Sequence, residues 1–368
     1  MYVMIRPRTP LVASRGCGSN AVAPTWEPRC SQAESATVLT ESEPSTCPSV
    51  AVVTVNTDGG AFIAEFLESL HCVSYPNYQL IVVDNGSTDD SLQILASLHP
   101  QAVVLRNDTN LGFTGACNRG LQYCLSQPFE YVLFLNGDLT MEADFLSHLV
   151  AAADERTMAA PKSYLYHHPG RLDDSVGEFD WTRGVWKRQI LGRVPTPEID
   201  RPRLIESASL SCLLVPVAML RDVGLLDDSF FIYYDDTDFV RRSRDKGYRL
   251  WFEPAAVVHH RKGATIGGPG SAFGLYYLTR NRPYLIRKHA HSRPQLVAFW
   301  AYFAMSRLVR IAVLLGQRRP DLAQAIVSGF LDYWRGRMGK TVERNRWPSG
   351  EQADDPGLKL PAGPLPKA

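Results

Sequence analysis

Three acidic residues, Asp235, Asp236 and Asp238, stand within four positions directly after the largely aromatic run of residues 230–234. Like charges this close raise one another's pKa values, and a carboxylate with a raised pKa can take a proton from a substrate hydroxyl. The alternative is the acidic start of a helix, stabilised by the helix dipole and by the arginines that follow. That alternative accounts for Asp238, and these residues alone leave both interpretations open for Asp235 and Asp236.

Asp138 and a histidine pair are candidates for a metal site. Asp138 closes the turn Asn136-Gly137-Asp138 after a predicted buried strand, where one carboxylate can hold a hard divalent cation that grips a diphosphate. His259 and His260 end another predicted strand, and only one of them can face the site because adjacent strand residues point to opposite faces. The alternatives are an ordinary Asn-Gly-Asp turn and a structural histidine.

A glycine-bearing loop follows the third predicted strand, with Gly112 and Gly115 in residues 110–116 and Asn118 just beyond. Glycine lets the backbone approach a ligand closely. The loop lacks the Gly-Lys-Ser/Thr ending of a P-loop and does not match G-x-G-x-x-G. NTPase and dinucleotide-binding functions therefore lose support.

Four strand–helix pairs would position these residues. Each predicted strand is a continuous apolar run, which indicates that helices cover both faces of the sheet. Strands and helices that alternate in this way predict a mostly parallel sheet. The predicted strands are residues 50–56, 79–84, 102–107 and 131–136, and the predicted helices begin near Phe62, at a cap on Ser87 or Thr88, at Gly112 and near Met141.

Polar residues follow every one of these strands. Ligands of parallel sheets sit at the carboxyl ends of the strands. A single polar loop would mean little, but four together predict one polar rim around a ligand. The rim residues are Asn56, Asp84, Asn107 with Asn110, and Asn136 with Asp138.

The composition is that of an ordinary globular protein with a real core, and 368 residues suit one large domain with an accessory segment, or two domains. The formal net charge is only +1, so charge selects no partner and we expect no nucleic-acid binding. Seven cysteines without a C-x-x-C pair predict reduced thiols in a cytoplasmic protein.

Beyond residue 160 the pattern is less regular, with further strands predicted at residues 207–216 and 250–265. Residues 1–48 are rich in Ser, Thr, Pro and Glu and are predicted to be a disordered tail. We expect one folded domain over residues 49–270, a basic amphipathic helical region over 271–346 and a flexible tail over 347–368.

The helical region has an apolar centre. Its longest apolar stretch, residues 296–305, is shorter than the ~20 residues that cross a bilayer, and Arg307 and Arg310 follow. With no signal peptide pattern at the N-terminus, a protein that does not span the membrane is predicted. Basic amphipathic helices lie on anionic membranes, so one hypothesis is peripheral attachment at the inner face of the plasma membrane. The alternatives are packing on the folded domain and a homodimer interface.

In this order, the segments resemble the family 2 glycosyltransferases with the GT-A fold, and within them the rhamnosyltransferase-like members. The resemblance covers about residues 50–288 and rests on VVTVN, IVVDNGSTDDS, NLGFTGACNRG, LNGDL, DDSFFIYYDDTDF and VVHHRKGAT. It implies an α/β fold of GT-A type, with a Rossmann-like, mostly parallel sheet flanked by helices and a C-terminal helical extension. Residues 49–270 would then be the catalytic domain.

The resemblance also implies roles for single residues. Asp84 would contact the nucleobase, Gly112 and Asn118 would contact the sugar donor, and Asn56 and Asn136 belong to the same donor-binding rim. Asp236 would be the catalytic base, next to Asp235 at the position of the family's usual Glu. Asp138 and His260 would hold Mg²⁺ or Mn²⁺, with Gly263 and Thr265 in register after the histidine. Two departures stand out: Asn136 replaces an acid that many members carry, and Asp235 is one methylene shorter than Glu.

The implied reaction is an inverting displacement on a dTDP- or UDP-linked sugar, with rhamnose suggested by likeness and a glycan or lipid-linked glycan as acceptor. One rival is a nucleotidyltransferase, which would be expected to carry a basic, glycine-rich loop after the first strand. Here residues 58–61 hold no Lys or Arg. The other rival is a non-catalytic scaffold related to the transferases, which only Asn136 favours.

Overall fold

The computed structural model describes residues 47–187, 190–261, 268–343 and 346. The predicted C-terminal tail, all but two residues of the predicted N-terminal tail, and the motif residues Gly263 and Thr265 lie outside the described part. Within it, twelve strands and nine helices form an α/β domain with a helical C-terminal part. The predicted fold class is confirmed.

The strands divide between one large sheet and one small sheet. The large sheet has the order β3-β2-β1-β4-β11-β6-β12-β5, with β9 paired to β12, and the small sheet has the order β10-β7-β8. The strands are β1 (Val50–Asn56), β2 (Tyr78–Asp84), β3 (Val103–Arg106), β4 (Tyr131–Leu135), β5 (Leu139–Met141), β6 (Thr157–Leu165), β7 (Val176–Asp180), β8 (Val185–Lys187), β9 (Arg203–Leu204), β10 (Ser207–Ala208), β11 (Cys212–Pro216) and β12 (Arg249–His260).

Six strands of the large sheet, β1, β2, β3, β4, β6 and β12, run in the same direction. Strand β11 runs antiparallel between β4 and β6, and β5 runs antiparallel at the edge. The helices are α1 (Ile63–His71), α2 (Ser91–Leu98), α3 (Gly112–Leu125), α4 (Phe145–Ala152), α5 (Val217–Val223), α6 (Asp235–Asp245), α7 (Ala272–His289), α8 (Arg293–Gly316) and α9 (Pro320–Trp334).

Strand β1 shows why the apolar runs are continuous. Ala51 and Val53 join the core layer that includes Leu121 of α3, whereas Val50 and Val52 join the opposite layer. All four side chains are buried, so each face of the strand is covered by its own helix layer. Because β1 pairs in parallel with both β2 and β4, the carboxyl ends of these three strands meet at one edge of the sheet.

Two local predictions are wrong. Met141 does not begin a helix, because it pairs with Val258 in the antiparallel strand β5, and α4 starts only at Phe145. Neither Ser87 nor Thr88 caps α2, whose N-cap residue is Asp90. The Ser87 hydroxyl instead accepts hydrogen bonds from the Asn56 side chain and the Asp58 backbone, which ties the loop after β2 to the end of β1.

The predicted strand over residues 207–216 is split into β10 and β11. Residues 209–211 connect β10 of the small sheet to β11 of the large sheet, and they line the cavity described below.

The apolar stretch near residue 300 is longer than the sequence suggested. Helix α8 extends over 24 residues and, by length and composition, is the one described helix that could cross a membrane. The apolar length counted from the sequence, residues 296–305, was too short, because Arg307 and Arg310 were taken as its end. That the protein does not span the membrane stays a prediction.

Candidate active site

A cavity of about 340 Å³ opens where β1 and β4 end and α6 begins. This volume is in the range of small-molecule sites. Seven of the nine predicted site residues line it, namely Asn56, Gly112, Asn136, Asp138, Asp235, Asp236 and His260. The structure thus brings together residues separated by up to 204 positions in the chain.

Asp138 and His260 face each other across one wall of the cavity. The Asp138 carboxylate is buried, and its Oδ1 atom has no hydrogen-bond partner and lies 3.6 Å from Nε2 of His260. On the other side of the imidazole ring, Nδ1 lies 2.8 Å from the Asp173 carboxylate. The backbone N–H of Arg261 donates to the Asp138 carbonyl and fixes the two segments together.

The charge state of His260 follows from these two carboxylates. Burial lowers its pKa, but Asp138 and Asp173 outweigh burial and raise the pKa to about 10. In the absence of a cation, the two carboxylates therefore stabilise the protonated, positively charged form of His260.

His259 points to the opposite side of β12, as the alternation of strand residues predicts. Its Nε2 atom lies 3.3 Å from Glu142 and its ring stacks on Tyr164. His259 is thus the structural histidine of the pair, and His260 is the one that faces the cavity.

The donor set at Asp138 and His260 fits a divalent cation. A buried carboxylate oxygen without a partner faces an imidazole nitrogen, and Asp173 on the far ring nitrogen is the outer carboxylate that commonly orients a metal-bound histidine. The described residues contain no cluster of three or more His, Cys, Asp or Glu around a common point. A cation here would therefore need oxygens from a bound diphosphate or water, as Mg²⁺ sites commonly do.

Asp235 and Asp236 form the first turn of α6. Asp236 is half-buried at the cavity wall, and its Oδ1 atom accepts hydrogen bonds from the backbone and hydroxyl of Thr237 at 2.6 and 3.0 Å. Burial raises the pKa of Asp236 to about 6. Asp235 is almost fully buried, and burial together with the charge of Asp236 raises its pKa well above the ordinary value. A carboxylate with a pKa near 6 is suited to accept a proton at neutral pH.

Asp238 has the structural role that its helix position predicts. It is fully buried and pairs with Arg242, Lys288 and His289 at 2.7–2.9 Å. Burial opposes ionisation, but these partners prevail and lower the pKa of Asp238. It does not line the cavity.

The loop before α6 has strained backbone. Phe231, Tyr233 and Tyr234 have φ values of 65°, 64° and 69°, in the left-handed region that bulky residues rarely adopt. Such conformations persist only where the surrounding structure enforces them, and they are concentrated at functional sites. Here they set the direction in which Asp235 and Asp236 enter α6.

Arg280 and Asn281 of α7 hold this strained loop in place. The Asn281 amide donates to the carbonyls of Phe230, Ile232 and Tyr233, and the Arg280 guanidinium donates to those of Ser229 and Phe230. Both side chains are completely buried. We call the pair Arg280 and Asn281 the α7 clamp. Its sequence signal was an Arg-Asn pair in a tyrosine-containing helix, from which no role could be assigned.

Gly112 is required where α3 meets the loop before α6. Its φ is 77°, and a Cβ atom at this position would lie 2.4 Å from the Phe231 ring. The backbone N–H of Thr114 donates to the Phe231 carbonyl at 3.3 Å, which joins the two segments. Gly112 therefore positions the Asp235–Asp236 loop as well as lining the cavity.

We expect Gly112→Ala to destabilise the protein and reduce its activity together. The left-handed backbone costs alanine about 1–2 kcal/mol, and the clash with Phe231 must in addition displace the loop that carries Asp236. Urea denaturation and turnover would measure the two effects. Gly170→Ala is the matched control, since Gly170 has φ 73° but no atom near the added Cβ. Equal losses in both variants would contradict the role assigned to Gly112.

Two predicted site residues lie outside the cavity lining. Asp84 is buried behind Asn56, whose amide donates to it at 3.4 Å and to Ser91 at 2.8 Å. Asn118 of α3 is buried, with its amide bonded to the Leu226 backbone and to Asp228. Asn118 thus ties α3 to the chain before α6 and does not line the cavity, and its contact with the donor stays a prediction.

Asn85 is a cavity residue that the sequence did not single out. Its amide donates to Asn110 and to the Gly112 carbonyl, and its carbonyl oxygen accepts from the Leu111 backbone. It holds the glycine-bearing loop against the end of β2. The sequence does show an asparagine next to Asp84 at the end of a predicted strand. Asp84 alone was predicted as the polar rim residue at that strand end.

The fold is of the GT-A type. A solved structure of GalNAc-T7 with UDP, GalNAc and Mn²⁺ has the same fold, with a TM-score of 0.56 and 16% sequence identity over 79% of this chain and 57% of that one. Residues 49–198 match the sequence profile of "Glycosyl transferase family 2". This is the family that the sequence motifs resemble, so the profile match confirms the resemblance.

Named relatives agree with this assignment. The N-acetylglucosaminyl-diphospho-decaprenol L-rhamnosyltransferase of Mycobacterium tuberculosis is 26% identical over 251 residues, which cover 61% of this chain and 80% of the relative. The low-salt glycan biosynthesis hexosyltransferase Agl10 of Haloferax volcanii is 26% identical over 207 residues, covering 55% of this chain and 66% of the relative.

Proposed function

We propose that this chain transfers rhamnose or another hexose from a dTDP- or UDP-linked donor to a hydroxyl of a glycan or lipid-linked glycan acceptor, with inversion at the anomeric carbon. The observation that carries the proposal is the convergence of Asp138, His260 and Asp236 on one cavity. The name of the mycobacterial relative, a rhamnosyltransferase acting on a diphospho-decaprenol-linked sugar, supports rhamnose and a lipid-linked acceptor.

In this proposal, Asp138 and His260 hold Mg²⁺ or Mn²⁺. When bound, the cation supplies positive charge that neutralises the leaving nucleotide diphosphate. The described cavity lining contains no Lys or Arg that could supply this positive charge instead of the cation. Asp173 keeps its bond to Nδ1 of His260 and so presents Nε2 toward Asp138.

Asp236 acts on the acceptor. Its carboxylate takes the proton from the acceptor hydroxyl as that oxygen attacks the anomeric carbon and the bond from this carbon to the diphosphate oxygen breaks. Attack on the face opposite the leaving group inverts the configuration, and a single base is sufficient because no covalent intermediate forms. The two hydrogen bonds from Thr237 keep one oxygen of Asp236 occupied and leave Oδ2 to receive the proton.

The proposed division of labour follows the predicted domains. Residues 49–270 carry the groups that touch substrates, and residues 271–346 support them, above all through the α7 clamp. Donors of this kind and the expected reduced thiols are consistent with a cytoplasmic enzyme.

Neither rival function is favoured. A nucleotidyltransferase would be expected to place basic residues near the end of β1, whereas the described lining has none. A non-catalytic scaffold would have no need for a strained loop that holds Asp235 and Asp236 at the cavity wall.

A donor screen tests the proposal. We expect one member of a panel of dTDP-, UDP- and GDP-linked sugars to be hydrolysed slowly in the presence of Mn²⁺, with dTDP-rhamnose tried first. Calorimetry with dTDP and UDP, with and without Mn²⁺, would show whether binding requires the cation. A protein that binds no nucleotide diphosphate under either condition would be the scaffold, and the proposal would be wrong.

A further inference from the structure

Helix α8 has its polarity reversed relative to a helix on the surface of a soluble protein. Surface helices turn apolar residues inward and charged residues outward. In α8, the positions that face the protein include Phe299 and Phe303. They also include Arg307 and Arg310, the two arginines in the middle of the helix sequence. The outward positions between residues 297 and 315 hold no charged residue.

The outward face of α8 is a continuous apolar stripe. Its large members are strongly exposed, with Val297 at 69%, Met305 at 63% and Leu308 at 64%. They recur at helical spacing, so they lie along one side of a helix about 36 Å long. The exposed residues of this stripe are Val297, Ala298, Ala301, Tyr302, Ala304, Met305, Leu308, Val309, Ala312, Val313 and Leu315.

Helix α9 extends the same surface. Its Val327, Leu331 and Trp334 are exposed at spacings of four and three residues, and Trp334, which is 63% exposed, stacks on Trp300 of α8. We call this combined surface of α8 and α9 the hairpin face. Contiguous exposed apolar surface of this extent marks a site of association rather than ordinary surface.

An arginine cluster borders the hairpin face. The guanidinium carbons of Arg183 and Arg282 each lie 5.4 Å from the centroid of the Tyr302 ring, and that of Arg307 lies 5.8 Å from the Phe303 ring. Among described residues, Arg183 pairs with Asp180 at 3.7 Å, whereas no carboxylate pairs with Arg282 or Arg307. Arg282 is buried and donates to the Arg183 carbonyl, and the Nε atom of Arg307 has no hydrogen-bond partner.

The missing counter-charge has an electrostatic effect on the cluster itself. Burial, together with the nearby charge of Arg282, lowers the pKa of Arg307 to about 10. Arg282 and Arg307 thus lie close together with no described carboxylate paired to either, which favours an anion beside Arg307 when the protein is at work.

We propose that the hairpin face docks onto an anionic lipid bilayer, with its apolar stripe at the boundary between headgroups and acyl chains. The less buried arginines of the cluster, Arg183 and Arg307, then lie toward the lipid phosphates. Arginine, tryptophan and tyrosine beside an apolar helix face are the chemistry of this boundary. A second copy fits less well, because a symmetric pair would bring the same unpaired arginines together. The inference does not depend on the proposed transfer reaction.

The helix lies on the membrane rather than crossing it. Phe299 and Phe303 are buried in one cluster with Phe230 and Leu285 of the body of the protein. A transverse helix would have to give up these contacts and carry Arg307 and Arg310 into the hydrocarbon, which is costly. Docking parallel to the surface keeps both the packing and the arginines in place.

Flotation of the full chain with vesicles tests the proposal. We expect co-flotation at low salt with phosphatidylglycerol–phosphatidylcholine vesicles and at least about tenfold less binding to phosphatidylcholine alone. The double variant Met305→Glu, Leu308→Glu should reduce binding by about tenfold or more without lowering Tm, since both side chains are exposed. Arg307→Gln should reduce the preference for the anionic lipid.

The matched control is the double variant Val104→Glu, Leu204→Glu, whose residues are similarly exposed but outside the hairpin face. It should float like the unaltered protein, and so should Asp236→Asn, because docking needs no turnover. Unchanged flotation of the Met305→Glu, Leu308→Glu variant would overturn the proposal. A dimer in solution that this variant converts to a monomer would also overturn it and make a second copy the occupant.

Discussion

We expect Asp236→Asn to remove nearly all sugar transfer while leaving nucleotide diphosphate binding intact. The variant keeps the shape and the Thr237 hydrogen-bonding position of the side chain but cannot take the acceptor proton. Loss of a general base costs about 10²–10⁴-fold in rate, and we expect kcat to fall to the upper end of that range. Transfer assays and calorimetry with dTDP or UDP would measure the two properties separately.

Asp245→Asn is the control for this variant, because Asp245 lies in the last turn of the same helix and is exposed in a pair with Arg241. It should leave turnover unchanged. Near-normal turnover of Asp236→Asn would refute the assignment of the base.

The pH dependence follows from the raised pKa of Asp236. The base must be ionised, so the rate should rise with pH through about 6 and level off above it. Stability changes in the opposite direction. Below the pKa of an unfolded Asp both states are protonated, and as the pH rises through about 6 the native state must ionise a buried group and loses stability. In EDTA, Asp236→Asn should therefore be more stable than the unaltered protein at pH 8, by about 3 kcal/mol at most, and equal to it near pH 3.

Asp138→Asn should remove the effect of the cation on donor binding. Among the described residues, the substitution takes away the only negative charge that faces His260 from the cavity side. We expect the affinity for UDP or dTDP in Mn²⁺ to fall by about 100-fold, the upper range for groups that organise a metal site, and to change little in EDTA. Calorimetry measures both conditions, and the rise of Tm with added Mn²⁺ is an independent readout.

Asp144→Asn is the control for the metal site, since Asp144 is nearby in sequence but exposed and paired with His148. It should retain the full response to Mn²⁺. If Asp138→Asn retained it as well, the cation would be held elsewhere or would not be used.

The sequence predicted the parts of the fold that local pattern controls. The apolar runs of β1, β2 and β4 located three neighbouring parallel strands to within one residue at each end. Strand β5 escaped detection because only three residues form it and its partner β12 is more than 100 positions away. A sequence pattern examined over about ten residues cannot show pairing between segments that are so far apart in the chain.

The site was predictable where a motif and a strand end coincide, as at Asp138 and His260. It was not predictable where function depends on a partner elsewhere in the chain. Asp173, which orients His260, lies in an irregular segment without any pattern. Asp84 and Asn118 stand in the most recognisable motifs, yet their side chains are committed to neighbouring loops. A motif marks such residues without showing which of their side chains line the cavity.

The α7 clamp has a consequence for where this protein could be cut. A chain ending at residue 270 would keep every carboxylate and histidine assigned to the chemistry, and its large sheet would be whole. It would nevertheless lack Arg280 and Asn281. These two side chains hold residues 231–234 in a backbone conformation that includes three unfavourable positive φ angles. Freed from that restraint, residues 231–234 would relax to ordinary backbone angles and carry Asp236 away from the cavity wall. The smallest active fragment of this transferase must extend through α7.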